Sequence, residues 1–199
     1  KKEAGYSLFV ATPVHSECSI HYSQSLLRLQ AYCFKKNVKI WFQLMKSSLV
    51  THGRNMCVSA FLESGLTHLL FIDSDISFEP ESIMKLVAAD KGVISIPYPL
   101  KSMMWEKVLE KIQKGDIKTV SDLESAAVAY PLKIENQEDI TMSKGIMEVT
   151  HAPTGCMLIK RSVFDTLITT HGHLFINQKA IMNGKVVDRP YMYNFFDTL

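Results

Sequence analysis

The sequence predicts an α/β protein, a single domain with a mostly parallel central sheet and helices on both faces. Three observations carry this. Short apolar runs alternate with helix-compatible stretches through the first hundred residues. The stretches between the runs carry helix start or stop residues, among them Asn37, Gly65 and Pro80. One run, His68–Ile72, ends in two carboxylates, Asp73 and Asp75, where a strand buried in a sheet would reach its carboxyl edge.

Taken in order, Leu8–Ala11 reads as the first strand, closed by Thr12-Pro13. Residues 19–36 read as a helix stopped by Asn37. Val38, Ile40, Phe42 and Leu44 alternate as a second strand requires. Asn55–Glu63 reads as the next helix, with Thr51–Arg54 ahead of it and Gly65 ending it. Leu69–Ile72 is the third strand. Pro80 opens a helix between Glu79 and Glu81, a placement that suits both its fixed φ and the helix dipole. Val93–Ile96 is the fourth strand, stopped by Pro97-Tyr98-Pro99. Beyond Ser102, one helical face collects Met104, Trp105, Val108, Leu109 and Ile112, with Gly115 past its end. Ser121 and Glu124 form a capping box for a short helix. Residues 130–145 read as an edge or excursion. Ile146–Val149 and Cys156–Ile159 read as strands, residues 162–170 as a helix, and Asn183-Gly184 as a type I′ hairpin turn.

Composition excludes several classes. With 47% apolar and 21% charged residues, the 199-residue chain is that of an ordinary globular domain with a sizeable core. A net charge of +2, with Lys35-Lys36 and Lys160-Arg161 as isolated pairs, provides no nucleic-acid stripe. No apolar run reaches the length of a membrane span, whereas peripheral membrane contact stays open. Cys18, Cys33, Cys57 and Cys156 lack close pairing and read as free thiols. With no Asn-x-Ser/Thr acceptor in the chain, a cytoplasmic location is expected. No residue pattern sets an oligomeric state.

The chemistry centres on Asp73-Ser74-Asp75. If the backbone stays extended, both carboxylates point to one side, where they could grip a divalent cation and through it a diphosphate. A phosphatase of the haloacid dehalogenase type also places Asp-x-Asp after an apolar strand, but here a complete strand-helix-strand-helix section precedes the pair. A calcium loop is a poor fit, since Phe78 stands where the sharp turn needs Gly. Acids capping the next helix are the plain alternative.

Other residues suit the same end of a sheet. Thr12 and Pro13, ending the first strand, could hold a nucleobase and ribose. Arg54 could fork to a phosphate or brace an aspartate, with Gly53 allowing a tight bend. Thr154-Gly155 forms a small turn ahead of a buried strand and could line a sugar or acceptor subsite. Met103-Met104-Trp105 and Phe195-Phe196 read as core, with Tyr98, Trp105 and Tyr193 as possible stacking residues. His171 and His173, about a helix end, read as dipole compensation, and His15, His21 and His151 lack metal-ligand spacing.

Together, Ala11-Thr12-Pro13, Arg54-Asn55, Phe71-Ile72-Asp73-Ser74-Asp75 and the run Pro153–Phe164 resemble a GT-A type glycosyltransferase. The resemblance covers most of residues 7–199. It is nearest to the small glycosyltransferase domains of chlorella viruses, which build the glycans of the major capsid protein. It implies a GT-A-like fold, the nucleotide-diphospho-sugar transferase type, over 1–199. A nucleotide-binding half would span about 7–100 and an acceptor-side half about 101–199. It further implies a UDP-sugar donor with Mn²⁺ or Mg²⁺, and an oligosaccharide or glycoprotein acceptor in capsid glycosylation, in the host cytoplasm if viral.

On the same resemblance, Asp75 would ligate the metal directly and Asp73 would contact the ribose or a metal-bound water. Thr12, Pro13 and Val14 would hold the uridine, Arg54 the base edge or phosphates, and Ser74 would complete the nucleotide-sugar set. Thr154 and Gly155 would form the sugar or acceptor subsite. The late Glu-Asp motif of such enzymes is missing after the Thr154-Gly155 turn, since Glu138-Asp139 lies before it. Asp188 and Asp197 are the late acids, and the base is otherwise expected beyond Leu199, in a longer protein. The catalytic residue is therefore unassigned. The lack of an evident nucleophile near Thr154 points to inversion. The alternatives carried forward are a Mg-dependent phosphatase and a non-catalytic nucleotide- or glycan-binding module.

Overall fold

The computed structural model describes residues 5–131, 142, 143, 145–177, 179–182 and 185–197. In chain order the first elements are β1 (Ser7–Val14), α1 (Ile20–Lys36), β2 (Lys39–Lys46), α2 (Val50–Ser64), β3 (His68–Ile72), α3 (Pro80–Ala88) and β4 (Val93–Ser95). Then follow α4 (Trp105–Gln113), α5 (Val120–Ala127), β5 (Met142–Ser143), β6 (Ile146–Met147), β7 (Cys156–Lys160), α6 (Arg161–Thr170), a 3₁₀ turn at Gly172–Leu174, β8 (Lys179–Met182) and β9 (Lys185–Asp188).

The central sheet has the order β2-β1-β3-β7-β4. β1, β2 and β3 are parallel, and β7 enters antiparallel between β3 and β4, pairing Leu70 with Leu158 and Ile94 with Leu158. The fold is thus mixed α/β, a central sheet flanked by helices. Side chains alternate across it. Phe9 meets Phe61 of α2, and Phe61 meets Phe164 of α6, with ring centroids 5.8 and 5.9 Å apart. Thr12, of opposite parity, meets Tyr22 of α1. So α2 and α6 cover one face and α1 the other, where α1 is joined to the segment entering α3 by Ser25, which accepts from the Phe78 N–H at 3.0 Å.

β1 continues through Pro13, past its expected end. The Val14 carbonyl accepts from the Ser47 N–H at 3.0 Å, so Val14 points towards β2 and Pro13 points the other way. Pairing with β3 has already ended at Ala11 and Phe71, so the missing proline donor breaks no ladder bond. α1 starts behind Ser19, whose hydroxyl accepts from the Tyr22 N–H, and stops at Asn37 with φ 58°. α2 begins five residues ahead of the expected Asn55. Gly53 and Arg54 are therefore helical and buried, and no bend occurs at Gly53. A Cβ on Gly53 would lie 3.0 Å from the Ser47 Cβ and 3.8 Å from the Pro13 Cβ, so the glycine serves close packing of α2 on the strand ends.

The chain divides into two compact units, Lys1–Ser95 with Thr154–Leu199, and Ile96–Pro153. In the second, Val108, Ala126 and Ala127 form a small core with Ile117 packed against it. Here the expected core of α4 is corrected: Met103, Met104, Trp105, Leu109 and Ile112 are exposed. The two short alanines of α5 cover only the Val108 line of a wider apolar face. α5 is capped by a box of Thr119 and Asp122, two residues ahead of the expected Ser121 and Glu124. Residues 132–141 and 144, in the expected excursion, lie outside the described residues. So do Asn183 and Gly184, whose flanking strands β8 and β9 pair Met182 with Lys185.

Candidate functional site

β3 delivers Asp73, Ser74 and Asp75 to the carboxyl edge of the sheet. Its last residues are fully buried, and Asp73 is the first to emerge. The backbone does not stay extended there. The Ile76 N–H donates to the Asp73 carbonyl at 3.2 Å, closing a tight turn, and the Asp73 N–H donates to the Gly155 carbonyl at 2.8 Å. The expected same-side geometry of an extended Asp-x-Asp is therefore corrected. The turn nonetheless leaves Asp73, Ser74 and Asp75 on the wall of one cavity of about 250 Å³. Ser74 pins the turn: its hydroxyl donates to the Glu17 carbonyl at 3.0 Å, and its own carbonyl accepts from the Ser19 N–H at 2.8 Å.

Arg54 approaches from below, on α2. Its Nη2 donates to Asp73 Oδ1 at 3.0 Å and its Nη1 to the Thr154 carbonyl at 3.2 Å, while the guanidinium lies 5.0 Å from the Phe71 ring centre. The side chain is 6% exposed and that of Asp73 33%, so the cation is held within the protein and the anion at its surface. Of the two uses foreseen for Arg54, the structure displays the brace on an aspartate. The next residue, Asn55, is buried too. Its Nδ2 donates to Asn194 Oδ1 and the Phe196 carbonyl, and its Oδ1 accepts from the Phe196 N–H, at 2.8–2.9 Å.

The other expected site residues divide. Pro13 and Val14 line the cavity. Thr12 does not: it is fully buried and its hydroxyl is hydrogen-bonded to Tyr22, so only its backbone is positioned to shape the edge. Thr154 and Gly155 join the site through their carbonyls, Thr154 accepting from Arg54 and Gly155 from the Asp73 N–H. Three further residues line the cavity without having been singled out as ligand residues: His15, Ser47 and Val50. Each follows the end of β1 or β2, or opens α2, so the rule that ligands settle at strand ends would have found them.

Charge around the site is felt by its neighbours. Burial pushes the Cys156 thiol up to about 12, with a contribution from the negative charge of Asp73. Burial likewise pushes Cys57 up to about 12, opposed by the positive charge of Arg54. Tyr22 is also raised to about 12, by burial, against the hydrogen bond from Thr12. Among the described residues no group of three or more His, Cys, Asp or Glu is arranged to hold a metal ion. Of the late acids, Asp188 sits 4.0 Å from Lys179, and Asp197 accepts from Asn194 at 2.9 Å. Phe195 and Phe196 are half-buried against Phe164 and Phe71. A larger cavity, about 480 Å³, lies at the other end of α2 between Phe9, Trp41 and Glu63 and is not lined by Asp73 or Asp75. No described helix is long and apolar enough to cross a membrane. Cys33, Cys57 and Cys156 are buried free thiols, and Cys18 is partly exposed.

No protein-family model matches the sequence, and no curated protein does. Several solved structures are similar in shape, among them those of two viral proteins. The protein A197 from STIV matches at 16% identity and a TM-score of 0.44, over 78% of this chain and 65% of that one. A glycosyltransferase involved in the glycosylation of the major capsid of PBCV-1 matches at 9% identity and a TM-score of 0.33, over 83% of this chain and 68% of that one. The chain thus spans about two-thirds of the length of each.

Proposed function

We propose that this chain is a metal-dependent glycosyltransferase with a GT-A-like fold, moving a sugar from a UDP-sugar to a hydroxyl of an oligosaccharide or glycoprotein, with inversion. The observation that carries the reading is the Arg54–Asp73 pair beside Asp75, on one cavity at the carboxyl edge of parallel strands. UDP and a capsid-glycan acceptor come from the resemblance in the sequence motifs.

The donor set is chemically suited to Mg²⁺ or Mn²⁺. It offers two carboxylates and no thiolate, and such ions are commonly bound by one or two carboxylates plus substrate phosphates. That explains why no three-residue cluster is required. Asp75 would be the direct ligand. Asp73 would hold a metal-bound water or the ribose, since a carboxylate has acceptor capacity beyond its bond to Arg54. When bound, the ion would neutralise charge growing on the diphosphate as the glycosidic bond breaks.

The protein's own groups then have distinct tasks. Arg54 fixes the Asp73 carboxylate and adds a buried positive charge near the phosphates. Ser74 fastens the turn, and Pro13 and Val14 offer a flat apolar edge for the uridine. The cavity is smaller than a whole nucleotide sugar needs, so it would take one part of the donor. Thr154 and Gly155, bonded to Arg54 and Asp73, would border the sugar. The acceptor base is unassigned. A phosphatase reading is weakened by Arg54, because a carboxylate bound to a buried guanidinium is a poorer nucleophile.

Incubation with Mn²⁺ and a panel of UDP-sugars (glucose, galactose, rhamnose and xylose) in the presence of a glycan acceptor tests this. UDP release with a glycosylated product from at least one donor is the expected result. Hydrolysis of phosphate monoesters without any UDP release would favour the phosphatase.

A further inference from the structure

β2 is an edge strand of the central sheet, and the register fixes which of its side chains face α2. Trp41 pairs with Phe9, Lys39 with Ser7 and Gln43 with Ala11, and Phe9 packs on Phe61 of α2. Side chains two residues apart on a strand share a face, so Lys39, Trp41 and Gln43 stand in one row on the α2 side. Ala60 and Glu63, three apart on α2, share a helix face and form the other wall. The cavity of about 480 Å³ is the cleft between these two rows. Ala60 contributes only a methyl to it, which keeps the cleft open.

The lining selects a ligand. Trp41 supplies a large flat apolar ring, 58% exposed. Glu63, on the opposite wall, carries a carboxylate that is already held in place. Arg189 Nη1 lies 3.5 Å from its Oε1, and the buried Ser59 hydroxyl donates to the same oxygen at 3.5 Å. The carboxylate keeps acceptor capacity at its other oxygen, and Lys39 and Gln43 bring donors to either side of the ring. Lys39 and Glu63 put one charge of each sign on the lining, so neither an anion nor a cation is selected. A flat apolar surface edged by donors and acceptors suits a sugar ring. The C–H bonds on one face of a pyranose lie against the negative face of an indole, and the hydroxyls at its edge both donate and accept. An apolar partner, such as the same face of a second copy, would bury the Glu63 and Lys39 charges without matching them.

We propose that the cleft between β2 and α2 binds a neutral saccharide, one pyranose stacked on Trp41 with its hydroxyls bonded to Glu63, Gln43 and Lys39. Neither Asp73 nor Asp75 lines this cleft, and the proposal does not rest on the sugar-nucleotide reading.

The chain has two tryptophans, so Trp105→Phe, at an exposed position, leaves Trp41 as the sole indole reporter. Titrating that variant with methyl glycosides of glucose, galactose, xylose and rhamnose, without UDP or Mn²⁺, tests the proposal. The expected result is a saturable shift of Trp41 emission to shorter wavelength with at least one glycoside. Glu63→Gln keeps the shape, removes a charge-assisted bond and weakens that binding about tenfold. Ala60→Leu fills the cleft and abolishes it. If Glu63→Gln fails to fold, Gln43→Ala on the edge strand must weaken binding in its place. No saturable shift with any glycoside, or a shift that the cleft variants leave unchanged, overturns the proposal. So does saturation by uridine or adenosine and by no glycoside, which would make the cleft a nucleoside site. A shift driven by protein concentration alone also overturns it, since Trp41 would then be a contact between copies.

Discussion

Arg54 and Asp73 meet at 3.0 Å across a gradient of burial, the guanidinium inside the protein and the carboxylate at the cavity wall. Removing the cation leaves Asp73 without its partner, takes the guanidinium from beside the Phe71 ring, and leaves the Thr154 carbonyl one donor short. Arg54→Ala is expected to cost about 2 kcal/mol in urea unfolding, less than a fully buried pair because a third of the Asp73 side chain is solvated. Arg54→Lys keeps the charge but loses the two-pronged reach, and should recover only part of that stability.

Gly53→Ala places a methyl 3.0 Å from the Ser47 Cβ, at the point where α2 closes on the strand ends. The expected loss is about 1–2 kcal/mol, as in other overpacked contacts. A second change, Ser47→Gly, removes the obstructing atom and should return part of it. Thermal melts of the single and double variants check the coupling.

Asn55→Ala removes three hydrogen bonds to Asn194 and Phe196, and strands the Phe196 N–H. A cost of about 2–3 kcal/mol is expected. Because Phe196 packs edge-on against Phe71, 5.5 Å from it, the loosened segment should show faster amide exchange at residues 194–197 before the sheet does.

The raised thiols set an alkaline limit. Cys57 and Cys156 titrate near 12 in the fold, and Cys33 near 11, against about 8.5 in an unfolded chain. The folded state therefore holds protons that the unfolded state releases. Their contribution is complete below about pH 8.5 and declines as pH rises towards 12. At pH 8, iodoacetamide should label the partly exposed Cys18 first and the other three only after denaturant is added.

Much of this was legible in the sequence because it depends on local chemistry. Asn37 and Pro80 mark helix ends by backbone geometry alone, and the apolar runs give the strands. Other features depended on partners distant in the chain. Nothing near Val50 signals a helix start: Leu49 makes no capping bond, and α2 begins there because Gly53 can pack on Ser47 and Pro13. The antiparallel course of β7 is not written in Cys156–Lys160, whose apolar pattern suits either direction. Thr12 read as a ligand residue because its hydroxyl had no visible partner until α1 brought Tyr22 against it. The aspartates were found by position, but their joining through a turn depended on Gly155 and Ser19.

The central claim is that Asp75 and Asp73 hold a nucleoside diphosphate through a divalent ion. Calorimetric titration of UDP into the chain, with and without Mn²⁺, tests it most directly when repeated with Asp75→Asn. That side chain is exposed, so the substitution should leave the fold intact. The account predicts UDP binding that requires Mn²⁺ and weakens at least tenfold in Asp75→Asn, about 1.4 kcal/mol. No UDP binding in the presence of Mn²⁺, or binding that neither the ion nor the substitution changes, would contradict it.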